Sequence, residues 1–269
     1  MQIILDIIRT ALSLLFLFYA SWSDYKTREV SNNVWILFAP PAFALTFVEL
    51  LLYSSSQLLL YGMSFGLTAA FAVILFYSGG FGGADAKALM CLALALPFYP
   101  ESLLTPLFGE ISPISKIFFP LTIFSNSVIL VIVPVLWIAS RNVYWRHKTG
   151  KKFFEGKQKN ESIGKKLLVL ITGYKVPISK LKEKWHVYPL EDIEENTETG
   201  IRRKLIVLPK DEGRDDIVGR LEKAVNAGTI EDHVWASPGL PMLILVTLGL
   251  IVALFFGDIV WALVTSLLK

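Results

Sequence analysis

The sequence predicts an α-helical polytopic membrane protein of six transmembrane helices, with a small α+β cytoplasmic domain inserted between helices 5 and 6. Three observations carry this expectation. Hydrophobic residues make up 54% of the 269 and charged residues only 18%, more oil than a soluble globule usually carries. The apolar residues are clustered: 10–21, 34–53, 58–77, 88–98, 119–139 and 239–265 are almost free of charge. The ions concentrate instead in 140–236. The expected organisation is a membrane domain over 1–139 with helices 1 to 5, a soluble domain over 140–236, and helix 6 within 237–269.

A helix crosses ~30 Å of hydrocarbon with about 20 residues. On that measure the first helix is expected over 2–21, the second over 33–53, the third over 58–78, the fifth over 118–139 and the sixth over 239–265. A cleaved secretory signal is the rival account of the first stretch. Its positive region is weak, because Asp6 and Arg9 cancel, and five more apolar segments follow, so the helix is expected to be retained. The fourth segment, 84–98, is short and ends at Pro97, which predicts a truncated span or one that starts inside the protein. Pro40 and Pro41 should kink the second helix and Pro134 the fifth. Within the insertion, 165–174 (KKLLVLITGY), 186–190 (HVYPL) and 201–210 (IRRKLIVLPK) predict strands, and 213–228 a helix stopped by Gly228.

Lysine and arginine placement sets the orientation. With the N-terminus outside, 22–32, 79–87 and 140–236 fall on the cytoplasmic side, while 54–57 and 99–117 fall outside. All 26 basic residues except Arg9, Lys116 and Lys269 then lie inside, and six crossings leave the C-terminus outside as well. The basic stretch 141–166, with Tyr144 and Trp145, reads as a segment facing lipid headgroups, so the bilayer is an expected partner. Nucleic acid is not, because the basic residues are juxtamembrane and no recognised module appears. The lone Cys91 lies in an apolar run, which excludes a disulfide framework and a cysteine zinc site. His147, His186 and His233 are too dispersed for a metal triad, and no metal or cofactor is expected.

Two acids stand out. Asp24, in ASWSDYKTREVSNNVW, ends the first helix; Asp85 opens the fourth, behind the glycines of GGFGGADAKALM (79–90). Both fall at the cytoplasmic membrane boundary in the expected topology. Singly, Asp24 reads as well as a solvated loop acid, and Asp85 as a helix cap. Together, two carboxylates held close share a proton, which is what a water-activating hydrolase needs: one acid as base toward water, the other donating to the scissile carbonyl. The alternative from another class is an ion- or proton-coupled transporter using the same aspartates as relay groups. Asp6 and Asp258 stand 18 residues from Asp24 and from the start of the last helix, about 27 Å along a helix, and read as interfacial acids near the outer face. The acidic run Glu191, Asp192, Glu194, Glu195 and Glu198 reads as a solvated loop, or functionally as an attractor for a basic peptide.

These residues together resemble the prepilin peptidase family of polytopic aspartyl proteases (the GxGD type), and within it the archaeal preflagellin peptidases. Three features carry the likeness: Asp24 followed by a short basic loop and Asn32-Asn33; Gly82-Gly83-Ala84-Asp85 with Lys87 two residues on; and the insertion before the last helix, closing with HVWASPGLPM. Ala84 stands where the bacterial motif has its second glycine, as in archaeal members. The four-cysteine zinc loop of bacterial members is absent, which leaves N-methyltransferase activity without support. The resemblance implies removal of a short charged leader from archaellin or type IV pilin-like precursors, with Asp24 and Asp85 as the catalytic pair. Gly82, Gly83, Ala84 and Lys87 would support them.

Overall fold

The computed structural model describes residues 2–107, 109–196, 200–207 and 213–268. The chain divides into two compact units, Met1–Val131 with Pro241–Lys269, and Ile132–Leu240.

The first unit opens with α1 (Gln2–Thr27), α2 (Asn32–Tyr53), α3 (Leu58–Tyr77) and α4 (Gly83–Ala95), followed by the short α5 (Pro113–Ile117) and by α6 (Phe119–Leu130). The first helix runs six residues past the expected boundary at 21, so Asp24 lies inside α1 rather than after it. Its polar positions Ser13 and Ser21 are buried along with Leu17 and Ala20. The second helix continues unbroken through Pro40 and Pro41. In the fifth apolar stretch the chain does break, at Val131, between α6 and a continuing helix, α7 (Ile132–Thr149). Pro134 has no N–H to offer the carbonyl four residues back, which is where α6 ends.

At 13 residues α4 covers only about 20 Å, short of the hydrocarbon thickness. Its last carbonyls end within the unit and are met by side chains. Thr46 Oγ1 and Arg9 Nη1 donate to Ala95 O (3.0 and 3.3 Å), Tyr61 Oη to Leu94 O (3.2 Å), and the Phe119 amide to Pro97 O (3.0 Å). Unpaired carbonyls in an apolar surrounding would cost several kcal/mol each, so these partners are what allows a helix to stop there.

Among the described residues, four helical stretches are long and apolar enough to cross a membrane: α1, α2, Ser55–Tyr77 and Phe119–Thr149. A fifth arises when α11 (Met242–Phe256) and α12 (Ile259–Leu267), bent by 54° at their junction, are taken as one span. The expected sixth, α4, is too short on its own. The last span is also not the single helix expected over 239–265. Gly257 takes φ +83°, and Asp258 restarts the helix by accepting from the Trp261 amide at 3.0 Å. Asn126 closes the break from α6, donating to Gly257 O (2.9 Å) and accepting from the Ile259 amide (3.2 Å). The core of this unit gathers Leu17, Phe38, Leu92, Phe119, Ile123 and Leu250. Gly249 lets α11 and α6 close on each other, since a Cβ there would stand 2.6 Å from Ile123 O.

The second unit contains α7, α8 (Ile163–Thr172), β1 (Tyr174–Pro177), α9 (Ile178–Glu183), β2 (Tyr188–Pro189), β3 (Glu191–Asn196), β4 (Gly200–Leu205), α10 (Arg214–Asn226) and β5 (His233–Ser237). β5 is central to an antiparallel sheet of order β1-β5-β2, and β3 and β4 form a separate hairpin. The strand expected over 165–174 is a helix instead. Ser162 caps it, accepting from the Lys165 amide at 3.3 Å, and only Tyr174 belongs to a strand. The strand at 186–190 shrinks to two residues. The one expected at 201–210 starts at Gly200 and ends at Leu205, and Leu208–Lys210 lie outside the described residues. The expected helix over 213–228 is α10. A core of Tyr174, Val176, Leu181, Leu221 and Val234 joins sheet to helices, and Trp235 fills a neighbouring cluster with Leu190 and Leu205.

Candidate active site

Asp24 is placed by the end of α1. Its carbonyl accepts from the Arg28 amide (3.0 Å), and Arg28 turns the chain out of the helix with φ +59°, alone among the described non-glycine residues in having positive φ. A left-handed arginine is strained, and such residues persist where surrounding bonds hold them. Here Ser23 Oγ and Thr27 Oγ1 both donate to Glu29 O, at 2.7 and 2.9 Å. Ser31 then caps α2, accepting from the Asn33 amide at 3.3 Å.

Asp85 is placed by the start of α4. Its Oδ2 accepts from the Gly82 amide at 3.0 Å, closing the first turn. A side chain at Gly82 would crowd that carboxylate, because a Cβ would lie 3.1 Å from Asp85 Oδ2. Gly79, at φ +76°, supplies the left-handed turn out of α3. A Cβ at Gly83 would meet Phe76 at 3.6 Å, an ordinary contact, so space does not require glycine there. Ala84 packs, half-buried, on the main core. Lys87 Nζ donates to Asn32 Oδ1 at 2.6 Å and so ties the start of α4 to the start of α2.

The two aspartates, 61 positions apart in sequence, come close enough for the charge of Asp24 to act on Asp85. The cation acting on Asp24 is Arg28, and the Leu243 amide at the start of α11 also faces it. Asp85 is 9% exposed and Asp24 half-buried. Burial and a like charge nearby disfavour ionising both carboxylates, while the amides at the starts of α4 and α11 favour the charged form; these opposed influences are what lets one of a pair keep a proton and the other lose it. Among the described residues, no group of three His, Cys, Asp or Glu side chains could hold a metal.

The other expected site residues belong to the second unit. Glu191 is fully buried, accepts from Arg203 Nη2 at 2.7 and 3.0 Å, and is also bonded by Gln158. It is therefore not a solvent-facing acid, contrary to the loop expected there. Asp192 pairs with Arg220 (2.7 and 3.0 Å) and Glu194 with Lys204 (2.9 Å). The side chain of Glu195, and Glu198 altogether, lie outside the described residues. The acidic stretch is thus one strand of a hairpin whose partner strand is basic. Close by, burial holds the Lys175 ammonium below the usual lysine value, against the pull of Glu155 and Glu191.

A second charge cluster escaped the sequence. Arg9 pairs with Asp6 and, at 2.5 Å, with Glu49, all three buried, and Ser102 donates to Asp6. Asp258 is buried too, accepting from Ser112 at 2.9 Å. Both aspartates, expected as interfacial acids near the outer face, are buried within the unit and have partners. The available signal was Glu49 itself, an ion within an apolar run.

Comparison with known proteins bears on this arrangement. Residues 11–135, which include Asp24 and Asp85, match the model of the type IV leader peptidase family, and residues 165–259 match that of the archaeal peptidase A24 C-terminus, type II. The preflagellin peptidase of Methanococcus voltae is 27% identical over 253 residues, covering 92% of this chain and 94% of that protein. The preflagellin peptidases of Methanococcus maripaludis and Methanocaldococcus jannaschii are each 25% identical, over 90% of this chain and 92% and 91% of theirs. Two family models that together take in both halves of the chain, and relatives of one kind along nearly its whole length, lead to one conclusion: the chain belongs to the type IV leader peptidase family and is a peptidase.

Proposed function

We propose that this protein is a membrane-embedded aspartyl endopeptidase that removes the short charged leader from archaellin or type IV pilin-like precursors at the cytoplasmic membrane face. The observation that carries the reading is the approach of Asp24 and Asp85 at the ends of α1 and α4, within the segment matched by the family model. One carboxylate takes a proton from water as the water oxygen attacks the scissile carbonyl carbon. The other gives its proton to the carbonyl oxygen. Collapse of the tetrahedral species breaks the C–N bond, and the leaving amine takes up a proton from the pair. Gly82 holds Asp85 through its amide, and Lys87 holds the Asp85 helix against α2.

In this reading the chain crosses the membrane six times, with α4 as the short span, both termini outside and the sheet-bearing domain (140–236) in the cytoplasm. The basic residues of 22–32, 79–87 and 140–236 support that orientation. Glu191, Asp192 and Glu194, expected to attract a basic leader, are already paired with Arg203, Arg220 and Lys204. The names of the relatives favour proteolysis over transport. Asp24→Asn and Asp85→Asn, each purified in detergent with a pilin-like precursor and no ion gradient, should lose cleavage by about 10²–10⁴-fold at unchanged protein yield. Retained cleavage in either variant rejects the pair.

A further inference from the structure

The second unit presents a surface unsuited to water. On α8, Ile163 (82% exposed), Leu167 (58%) and Leu168 (42%) face outward, with Ile171 half-buried beside them. At 100° per residue, 163, 167, 171 and 168 fall within a 140° sector, one continuous apolar face. The opposite side holds the helix to its unit through Val169, fully buried, and Leu170. Beside α8 lies a cavity of about 280 Å³ lined by Arg146, Lys152, Lys159, Lys166 and the rings of Phe153 and Phe154. None of these lining residues is acidic.

The position of α8 along the chain selects the occupant. Asn142 of α7 donates to Leu170 O (2.9 Å) and Gly173 O (2.8 Å), which pins the end of α8 to α7. Asn142 follows Phe119 by 23 residues along the Phe119–Thr149 stretch, roughly 34 Å at helical rise, so a span starting at Phe119 has used up the hydrocarbon thickness by that residue. An apolar face with cations beside it, fixed at that depth, matches the boundary between acyl chains and anionic headgroups.

We propose that α8 is an interfacial helix, inserting Ile163, Leu167 and Leu168 into the cytoplasmic leaflet, and that the adjoining basic cavity binds the phosphate of an anionic lipid. This rests on the chain spanning a membrane and is independent of the aspartate pair. The full-length protein carrying a nitroxide at Leu167→Cys, with buried Cys91 left in place, is placed in nanodiscs of phosphatidylcholine alone or mixed with phosphatidylglycerol. The label should be open to oxygen and shielded from an aqueous nickel reagent. Retention of phosphatidylglycerol should weaken about five-fold for each cation replaced in Arg146→Gln and Lys166→Gln. Inorganic phosphate should compete no better than chloride.

A label fully open to nickel in both discs overturns the inserted helix. A label shielded from both reagents even in detergent overturns it in favour of a protein partner, such as a second copy. Retention unchanged in the glutamine variants, or strong competition by phosphate, overturns the lipid site. A label at the more exposed Ile163 repeats the depth measurement should Leu167→Cys fold poorly.

Discussion

The first unit holds buried acids around Arg9, at Asp85 and at Asp258, and treats the first two in opposite ways. Around Arg9, the carboxylates of Asp6 and Glu49 share one guanidinium, Ser102 donates to Asp6, and the same arginine reaches the end of α4 at Ala95 O. Around Asp85, the carboxylate has one backbone donor, Gly82, and a second acid facing it. In the first cluster each carboxylate touches a cation, although one guanidinium serves two acids and Arg9 Nε keeps no hydrogen bond; in the second the carboxylate has no cation against it and a like charge nearby. A cation in contact marks an acid that builds the fold, and its lack marks an acid kept for chemistry.

The largest expected effect tests that division directly. Asp85→Asn removes a repulsion and keeps the hydrogen bond to Gly82. It should abolish leader cleavage while its unfolding midpoint in detergent stays level or rises; a large loss of stability would move Asp85 into the structural class. Arg9→Met should do the reverse, destabilising by about 3–5 kcal/mol by stranding two carboxylates, while the folded fraction cleaves at the normal rate per molecule. Equal loss of turnover in that fraction would break the comparison. Next is Gly82→Ala, which places a methyl 3.1 Å from the Asp85 carboxylate. Turnover should fall roughly ten-fold through misplacement of the acid, with little change in melting.

The smallest effect concerns the buried cation of the second unit. Burial lowers the folded-state proton affinity of Lys175, so below its depressed value folding carries a fixed cost, and that cost fades as pH rises toward the ordinary 10.5. Lys175→Met should therefore raise thermal stability at neutral pH, and by less near pH 10. A gain that is the same at both would assign it to packing rather than to charge.

Much of this was legible before any coordinates. The apolar runs located α1, α2 and α3 because a helix in lipid must be apolar along its length. Asp85 at a helix start was legible from glycines followed by an acid. The Arg9 cluster was not. Arg9 and Glu49 are 40 positions apart, and nothing local to either says they meet. The strand expected at 165–174 failed because KKLLVLITGY is an apolar run that either structure can accommodate; Ser162, the cap, was the signal to weigh. The division of the last span was written in Gly257-Asp258, a left-handed stop followed by a cap, but even hydropathy on both sides hid it.

That elbow between α11 and α12 has a mechanical consequence. Transporters often interrupt a span and leave the freed backbone groups for a passing ion to visit. In this protein one asparagine takes both the last carbonyl and the next amide, and an aspartate anchored by Ser112 seats the restart. A joint whose freed carbonyl and amide are both held by one side chain is braced as a corner against the neighbouring helix.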